Sequence, residues 1–313
     1  MMMSRVSAGA RRETGQRSAT AFCPTPAGVL ARALDYIRAM CVCLSLCTIS
    51  SALAGAQELD RTGGPFVPTP QVVVDQMLHM ANVGAKDFVV DLGSGDGVIV
   101  LTAASQLRAA GYGVDIDPAL VKYSNAEANR LGISDRASFH VQDVFKADLS
   151  RATVITLYLL PSMMVNLRPK IFLESKPGTR VVSHDYNFDE WEPDDQVVLD
   201  VPEKEKVNGV PRATISLWIV PARVQGKWQV QVDGGEGYDM TLRQKYQSIA
   251  GSASAPGKDT KLTYASLRGE EISFTVIDGS ARRSFIGKVS GDAMQGTVEL
   301  GANRTARWSA TRS

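Results

Sequence analysis

The segment Phe88-Val89-Val90-Asp91-Leu92-Gly93-Ser94-Gly95-Asp96-Gly97 decides the fold prediction. A short apolar run followed by closely spaced glycines predicts a buried strand that enters a tight turn and then a helix. The glycines let the backbone approach a ligand closely and take φ values that other residues resist. Their spacing is G-x-G-x-G, whereas a nicotinamide-binding loop needs its third glycine at position 98, which is Val98 here. Asp91 also favours a positively charged ligand, because a carboxylate repels phosphates.

Two more carboxylates follow, at the ends of the next two predicted strands. Asp115 comes about twenty residues after the glycine turn, where folds of this kind bind ribose hydroxyls. Asp117 competes for this role, although Pro118 behind it equally predicts that Asp117 caps the next helix. Asp143 ends the third strand, where its carboxylate can accept a hydrogen bond from an adenine amino group. The three strand ends together predict a site for a positively charged nucleoside.

These residues resemble the class I, seven-strand methyltransferases that use S-adenosylmethionine, a cofactor with sulfonium and ammonium charges. The resemblance covers roughly residues 65–200. In that class the Asp-x-Gly-x-Gly-x-Gly loop, the acid of the second strand and the aspartate of the third strand hold the cofactor. It therefore implies a methyltransferase, with these cofactor-binding residues: Asp91, Gly93, Ser94, Gly95, Gly97, Asp115, Asp117 and Asp143.

Two further segments narrow the resemblance. Pro65-Phe66-Val67-Pro68-Thr69-Pro70 and Tyr158-Leu159-Leu160-Pro161-Ser162-Met163-Met164 are similar to the lysine methyltransferases of the mitochondrial ATP synthase c-ring protein and their bacterial relatives. This likeness implies that the methyl acceptor is a protein lysine. Phe66, Thr69, Tyr158 and Pro161 are the candidates for shaping an acceptor channel and for catalysis, and plain packing is the alternative for each. His184 could act there as a base, although a structural histidine is the favoured interpretation.

The rest of the first domain alternates short apolar runs with helical stretches, which predicts a mostly parallel, Rossmann-like α/β sheet covered on both faces. The predicted helices are Gln71–Ala81, Val98–Leu107, Pro118–Leu131 and Pro161–Ile171. The predicted strands are Phe88–Leu92, Ala110–Val114, Ala137–Val141, Val154–Leu159 and Arg180–His184, followed by the antiparallel pair Gln196–Val201 and Arg212–Val220.

The sequence changes character after Pro221. Residues 222–313 show short alternating runs broken by glycines, with turn pairs such as Asp278-Gly279. About eight strands at this spacing predict a small all-β domain, an up-and-down barrel or a sandwich. Trp228 and Trp308 are expected to anchor its core. The predicted domains are therefore residues 1–56, an N-terminal extension with a signal peptide, 57–221, the methyltransferase domain, and 222–313.

The N-terminal segment resembles a secretory signal. Arg32 and Arg38 precede the apolar run Met40–Ala54, and Ala54-Gly55-Ala56 offers a small-residue cleavage site. The run is shorter than the ~20 residues of a spanning helix, so cleavage and export to the periplasm or medium are expected for this bacterial-type layout. An uncleaved membrane anchor is the alternative, and membrane association is expected only in that case.

Composition limits the remaining partners. Residues 1–56 hold six of the 34 Lys and Arg residues but only two of the 33 Asp and Glu residues, so the rest of the chain has a formal charge of −3 and nucleic acid is not an expected partner. All four cysteines precede residue 57 and the histidines lack partners at metal spacing, so no metal site is predicted. Two alternatives stay open: a small-molecule methyl acceptor, and an exported, non-catalytic binding module whose cofactor site is vestigial. Retention of Asp91, Asp115 and Asp143 argues against the second.

Overall fold

The computed structural model describes residues 64–235, 237–255, 258–279, 281–301 and 304–313. The predicted signal peptide and its cleavage site lie outside these residues. Residues Glu58–Ser313 group together as one compact unit. Within the described residues, no helix has the length and apolar character that crossing a bilayer requires.

A seven-stranded sheet forms the first layer of the fold, with strand order β3-β2-β1-β4-β5-β7-β6. Strands β1 to β5 pair in parallel, whereas β7 runs antiparallel to both β5 and β6. This arrangement confirms the predicted Rossmann-like sheet with its antiparallel pair. The strands are β1 Phe88–Leu92, β2 Ala110–Asp115, β3 Ala137–Val141, β4 Val154–Leu157, β5 Arg180–His184, β6 Asp195–Asp200 and β7 Arg212–Ile219.

Helices cover both faces of this sheet, because the central strands are apolar on both sides. They are α1 Gln71–Met80, α2 Val98–Gln106, α3 Pro118–Arg130 and α4 Pro161–Glu174, with short 3-10 helices at Val144–Lys146 and Pro202–Lys204 and the four-residue helix α5 Glu205–Asn208. Val89 of β1 belongs to one buried apolar cluster and Val90 to the other. The turns after β1, β2 and β4 all lie at the carboxyl edge of the sheet, where parallel α/β folds bind ligands.

The second layer of the chain is a nine-stranded antiparallel sheet, with order β11-β10-β9-β8-β16-β15-β14-β13-β12. Sequence neighbours pair along each half, and β16 pairs with β8, which gives an up-and-down, nearly barrel-shaped sheet. Trp228 and Trp308 are 1% and 2% exposed and lie in its core, as expected. The strands are β8 Gly226–Val232, β9 Tyr238–Lys245, β10 Ser248–Ala255, β11 Lys258–Lys261, β12 Thr263–Arg268, β13 Glu271–Asp278, β14 Ala281–Ser290, β15 Ala293–Glu299 and β16 Thr305–Arg312.

The two sheets meet at the turn between β9 and β10. The Tyr246 ring lies 5.5 Å from that of Phe172 on α4 and 6.2 Å from that of Trp191, which is fully buried. The Gln247 side-chain amide donates to the carbonyl of Glu192 at 2.6 Å. This hairpin therefore packs against residues 185–194, the connection that leaves β5 at the carboxyl edge.

Candidate active site

A cavity of about 480 Å³ lies at the carboxyl edge, over the ends of β1, β2 and β4. Its volume is within the usual range of small-molecule sites. The glycine turn forms its floor, the lead-in before α1 forms one wall, and the segment after β4 forms another. The lining residues are Gly64, Pro65, Phe66, Val67, Thr69, Asp91, Gly93, Ser94, Gly95, Asp96, Val98, Ile99, Asp115, Ile116, Asp117, Leu120, Tyr158, Leu159, Leu160 and Tyr186.

The glycine turn has a backbone shape that other residues resist. Gly93, Gly95 and Gly97 have φ of +80°, +52° and +80°. A Cβ on Gly95 would lie 2.5 Å from the Phe66 ring, which covers the turn. Gly97 directly precedes α2 and does not line the cavity; a Cβ there would lie within 2.8 Å of both Phe139 and Ser124. The turn is therefore closed around its own backbone on one side and open to the cavity on the other.

Asp91 is buried at the end of β1, with 2% exposure, and accepts a hydrogen bond of 2.7 Å from the hydroxyl of Thr156 on β4. Burial is the main cause that raises its pKa, to about 7, and the nearby charges of Asp115 and Asp96 act in the same direction. A positive ligand beside Asp91 would favour the ionised form of the carboxylate. The site thus stores an unfavourable charge that a cation can neutralise.

Asp115 is at the end of β2 and holds the turn in place. Its Oδ2 accepts from the Gly95 backbone N–H at 2.9 Å, and its Oδ1 accepts from the Asp117 N–H at 2.9 Å. A carboxylate has about four acceptor positions, so both oxygens keep room for ribose hydroxyls. Asp117 caps α3 by accepting from Ala119 N–H at 2.7 Å and also lines the cavity. The structure therefore combines the two interpretations of Asp117.

Asp143 occupies a different environment. Its Oδ1 accepts from the Phe145 N–H at 2.9 Å and so caps the 3-10 helix after β3. It is not among the residues that line the cavity. Its contact with adenine stays a prediction.

The described lining of the cavity fits a cationic nucleoside. It contains four aspartates and neither lysine nor arginine, so its electrostatic potential favours positive charge. The buried Ser94 Oγ has no hydrogen-bond partner among the described residues, which leaves a polar group for a ligand. S-adenosylmethionine has the required charges and hydroxyls, with Asp91 and Asp115 as its main carboxylate partners in this site.

A second cavity, of about 250 Å³, adjoins the first and shares Val67, Thr69 and Tyr158 with it. Phe66, Thr69 and Tyr158 therefore lie where an acceptor channel was predicted, whereas Pro161 is the exposed first residue of α4 and lines neither cavity. The lining of the second cavity is Val67, Pro68, Thr69, Pro70, Gln71, Tyr158, His184, Glu203, Lys204 and Val207.

The inner wall of this second cavity contains polar residues that sequence reasoning missed. The Lys204 ammonium donates to Asp185 Oδ2 at 2.5 Å and to His184 Nε2 at 3.1 Å. The ring of Tyr158 lies on that of His184, with centroids 3.9 Å apart. Asp185 follows β5 directly, and that position was the available signal, but Lys204 follows β6 and no local pattern connects it with the site. His184 is both buried, as a structural histidine would be, and part of the cavity wall.

Comparisons with known proteins agree with this geometry. The family model described as the ANTKMT methyltransferase domain matches residues 91–195. A protein-lysine N-methyltransferase of Saccharolobus islandicus is 40% identical over 137 residues, covering 44% of this chain and 85% of that protein. The lysine N-methyltransferase of Mus musculus that is named for the ATP synthase c-ring protein is 35% identical over 131 residues, covering 42% of this chain and 52% of that protein. The chain thus spans about half the length of the mouse relative.

Among solved structures, one described as an RNA methyltransferase from Salinibacter ruber in complex with S-adenosyl-L-homocysteine is 45% identical to this chain. The match covers 50% of this chain and 96% of that one, with a TM-score of 0.46. The identity to the Saccharolobus protein extends over most of that protein's length. The chain therefore belongs to the protein-lysine N-methyltransferases with the ANTKMT methyltransferase domain, and it is an S-adenosylmethionine-dependent methyltransferase.

Proposed function

We propose that this enzyme transfers a methyl group from S-adenosylmethionine to the side-chain nitrogen of a lysine in a protein. The observation that carries the proposal is the pair of adjoining cavities, because a narrow channel beside the cofactor site suits a long, unbranched side chain. Tyr158 and Thr69 line both cavities and so mark the place where acceptor and cofactor meet. The activities named for the Saccharolobus and mouse relatives support the same acceptor. We refer to the second cavity below as the acceptor channel.

Methyl transfer from a sulfonium is an in-line displacement, for which alignment of the reactants and exclusion of water are the main requirements. When bound, the cofactor supplies an electrophilic methyl group. Tyr158 and Thr69 orient the acceptor side chain, and Phe66 and Leu159 cover the glycine turn and exclude water. The acceptor must arrive as a neutral amine. Lowering a lysine pKa from about 10.4 towards 7 requires roughly 4–5 kcal/mol, which burial in the acceptor channel can supply.

Transfer of label from tritiated S-adenosylmethionine tests this proposal. The purified chain is incubated with acetylated peptides that contain one lysine, with matched peptides in which arginine replaces the lysine, with RNA, and with a low-mass metabolite extract. Label in the lysine peptides alone, lost in an Asp115→Ala variant, is the expected result. Label only in RNA or only in low-mass products would contradict a protein-lysine acceptor.

We also propose that the mature bacterial enzyme acts outside the cytoplasm, after removal of residues 1–56. The support is the order of Arg32, Arg38, the apolar run Met40–Ala54 and the small residues Ala54-Gly55-Ala56. Sequencing the N-terminus of the protein from its native cells tests this. A mature N-terminus at Gln57 is expected, whereas an intact Met1 in the cytoplasmic fraction would refute export.

A further inference from the structure

A buried ion pair lies at the inner end of the acceptor channel. The Lys204 side chain is 4% exposed and that of Asp185 is 21% exposed, and their charged atoms are 2.5 Å apart. The carboxylate also accepts from the Thr214 backbone N–H at 3.0 Å, and its Oδ2 lies 3.5 Å from the Tyr158 hydroxyl. Asp185 has a φ of +64°, a region that a non-glycine residue rarely adopts. The surrounding structure therefore holds this carboxylate in place against local backbone preference.

His184 completes the arrangement as a neutral base. Burial lowers the pKa of its imidazole to about 4, the charge of Lys204 adds to this effect, and the charge of Asp185 opposes it. The neutral ring accepts the Lys204 hydrogen bond at Nε2, so its proton is on Nδ1. The channel wall at this point therefore consists of one cation, one anion and a neutral ring.

Stability alone gives a weak reason for this ion pair. Removing two charges from water is costly, and apolar residues of similar size often stabilise a fold as well or better. The position is more informative, because His184, Lys204 and Tyr158 all line the channel through which the acceptor approaches. Without Lys204, the carboxylate of Asp185 would be left unpaired next to that channel and would hold an incoming lysine as its ammonium ion.

We propose that Lys204 is the built-in counter-ion of Asp185, which keeps the inner acceptor channel free of net negative charge so that the acceptor lysine reaches the cofactor as a neutral amine. The inference rests on the proposed lysine acceptor. It makes Lys204 a positioning residue that acts through Asp185. The other titratable groups that face the channel are Tyr158, His184 and Glu203, and Glu203 is exposed and screened by water.

Replacing Lys204 with methionine should therefore change how the reaction depends on pH. A carboxylate about 4 Å from an amine raises the amine pKa by about 3 units at an effective dielectric constant near 20. We expect K204M to bind the protonated acceptor more tightly and to lower KM. We also expect the rising limb of kcat to move about 2–3 pH units towards alkaline pH. His184 regains its ordinary pKa near 6.5 at most, so its own titration stays below this limb.

The experiment compares the purified wild-type chain with K204M, K204R, the double variant K204M/D185N, and K206M, in which an exposed lysine two residues away is changed. kcat and KM for an acetylated single-lysine peptide are measured from pH 6 to 10, and thermal melting checks folding. A second readout needs no catalysis: [1-13C]butylamine is titrated by NMR in the presence of each protein.

The expected results form a specific pattern. K204M shows the alkaline shift and a raised pKa of bound butylamine, K204M/D185N returns both towards wild type, and K204R and K206M stay close to wild type. An unchanged pH profile of K204M, or an equal loss of kcat at every pH, would overturn the inference, as would a bound butylamine pKa that is the same in wild type and K204M or an absence of butylamine binding to K204M. If wild type methylates no lysine peptide but butylamine behaves as expected, the proposed acceptor fails and the counter-ion inference stands.

Discussion

Asp91 gives the sharpest prediction about the cofactor site. Its carboxyl is buried and has a pKa of about 7 in the free protein, so near pH 6 it is mainly protonated. A cationic cofactor beside it would return its pKa towards the ordinary value of 3.8. Binding therefore requires the release of a proton at pH 6, which pH 8 no longer requires. Cofactor affinity of the wild type should be about tenfold weaker at pH 6 than at pH 8, which corresponds to about 1.4 kcal/mol.

The variant Asp91→Asn isolates this effect, since asparagine keeps an oxygen that can accept the Thr156 hydrogen bond but has no charge. Isothermal titration calorimetry of both proteins with S-adenosylmethionine between pH 5.5 and 8 is the assay. The ligand's own amino group ionises in both experiments, so the ratio of the two affinities removes it. The ratio should change about tenfold over this range in favour of the wild type at higher pH. A ratio that is constant with pH would refute the assignment of Asp91 as the residue that binds the cation.

The same raised pKa predicts the opposite effect on stability. In the free protein the folded-state pKa lies above the unfolded value, so ionising Asp91 costs stability as pH rises from about 4 to above 7, by at most about 4 kcal/mol. The asparagine variant should therefore be more stable than the wild type at pH 8 and equally stable near pH 4. Urea unfolding without cofactor measures this, and a less stable variant at pH 8 would contradict the argument.

Three further predictions concern other parts of the structure. Asp115→Ala should weaken cofactor binding about 10- to 100-fold by calorimetry, because it removes charged hydrogen-bond acceptors and the anchor of the Gly95 N–H; unchanged affinity would refute the ribose assignment. Gly95→Ala should abolish cofactor binding through contact with the Phe66 ring, whereas Gly132→Ala, which has a similar positive φ and open space around it, should cost only about 1–2 kcal/mol of stability and keep the affinity; equal effects would argue against the tight turn. Tyr246→Ala should lower the free energy of unfolding by about 2–3 kcal/mol because it leaves a gap between the sheets, whereas Tyr264→Ala, at a 74% exposed residue, should change it by less than about 0.5 kcal/mol; equal values by urea unfolding would sink the packing argument.

Local sequence determined the parts of the fold in which period, turn chemistry and strand order agree. The run from Phe88 to Gly97 specifies a buried strand and a turn with positive φ, because only glycine adopts that backbone without strain. Once the strands are parallel, acids at their ends must meet at one edge, which is why Asp91 and Asp115 could be placed together from the sequence. The alternating runs after Gly226 likewise specify an antiparallel sheet.

Two strands of that sheet could not be predicted, for a reason visible in their composition. Ser248–Ala255 and Lys258–Lys261 consist mainly of small and polar residues, so they have little apolar alternation. Their conformation comes from backbone pairing with β9 and with each other, in registers such as Ile249 opposite Gln244. Pairing of this kind is supplied by the neighbouring strand and leaves no mark in the local sequence.

The tertiary structure alone decided which residues meet across long separations. Phe66 covers Gly95, and the Tyr246 hairpin of the second sheet packs on Trp191 of the first. Lys204 reaches Asp185 and His184 because β7 places the segment after β6 beside the end of β5. Neither periodicity nor spacing records such a contact, since the order of strands in the sheet sets it. The sequence by itself therefore determined the cofactor turn and its carboxylates, and the packing of distant segments determined the channel through which the acceptor enters.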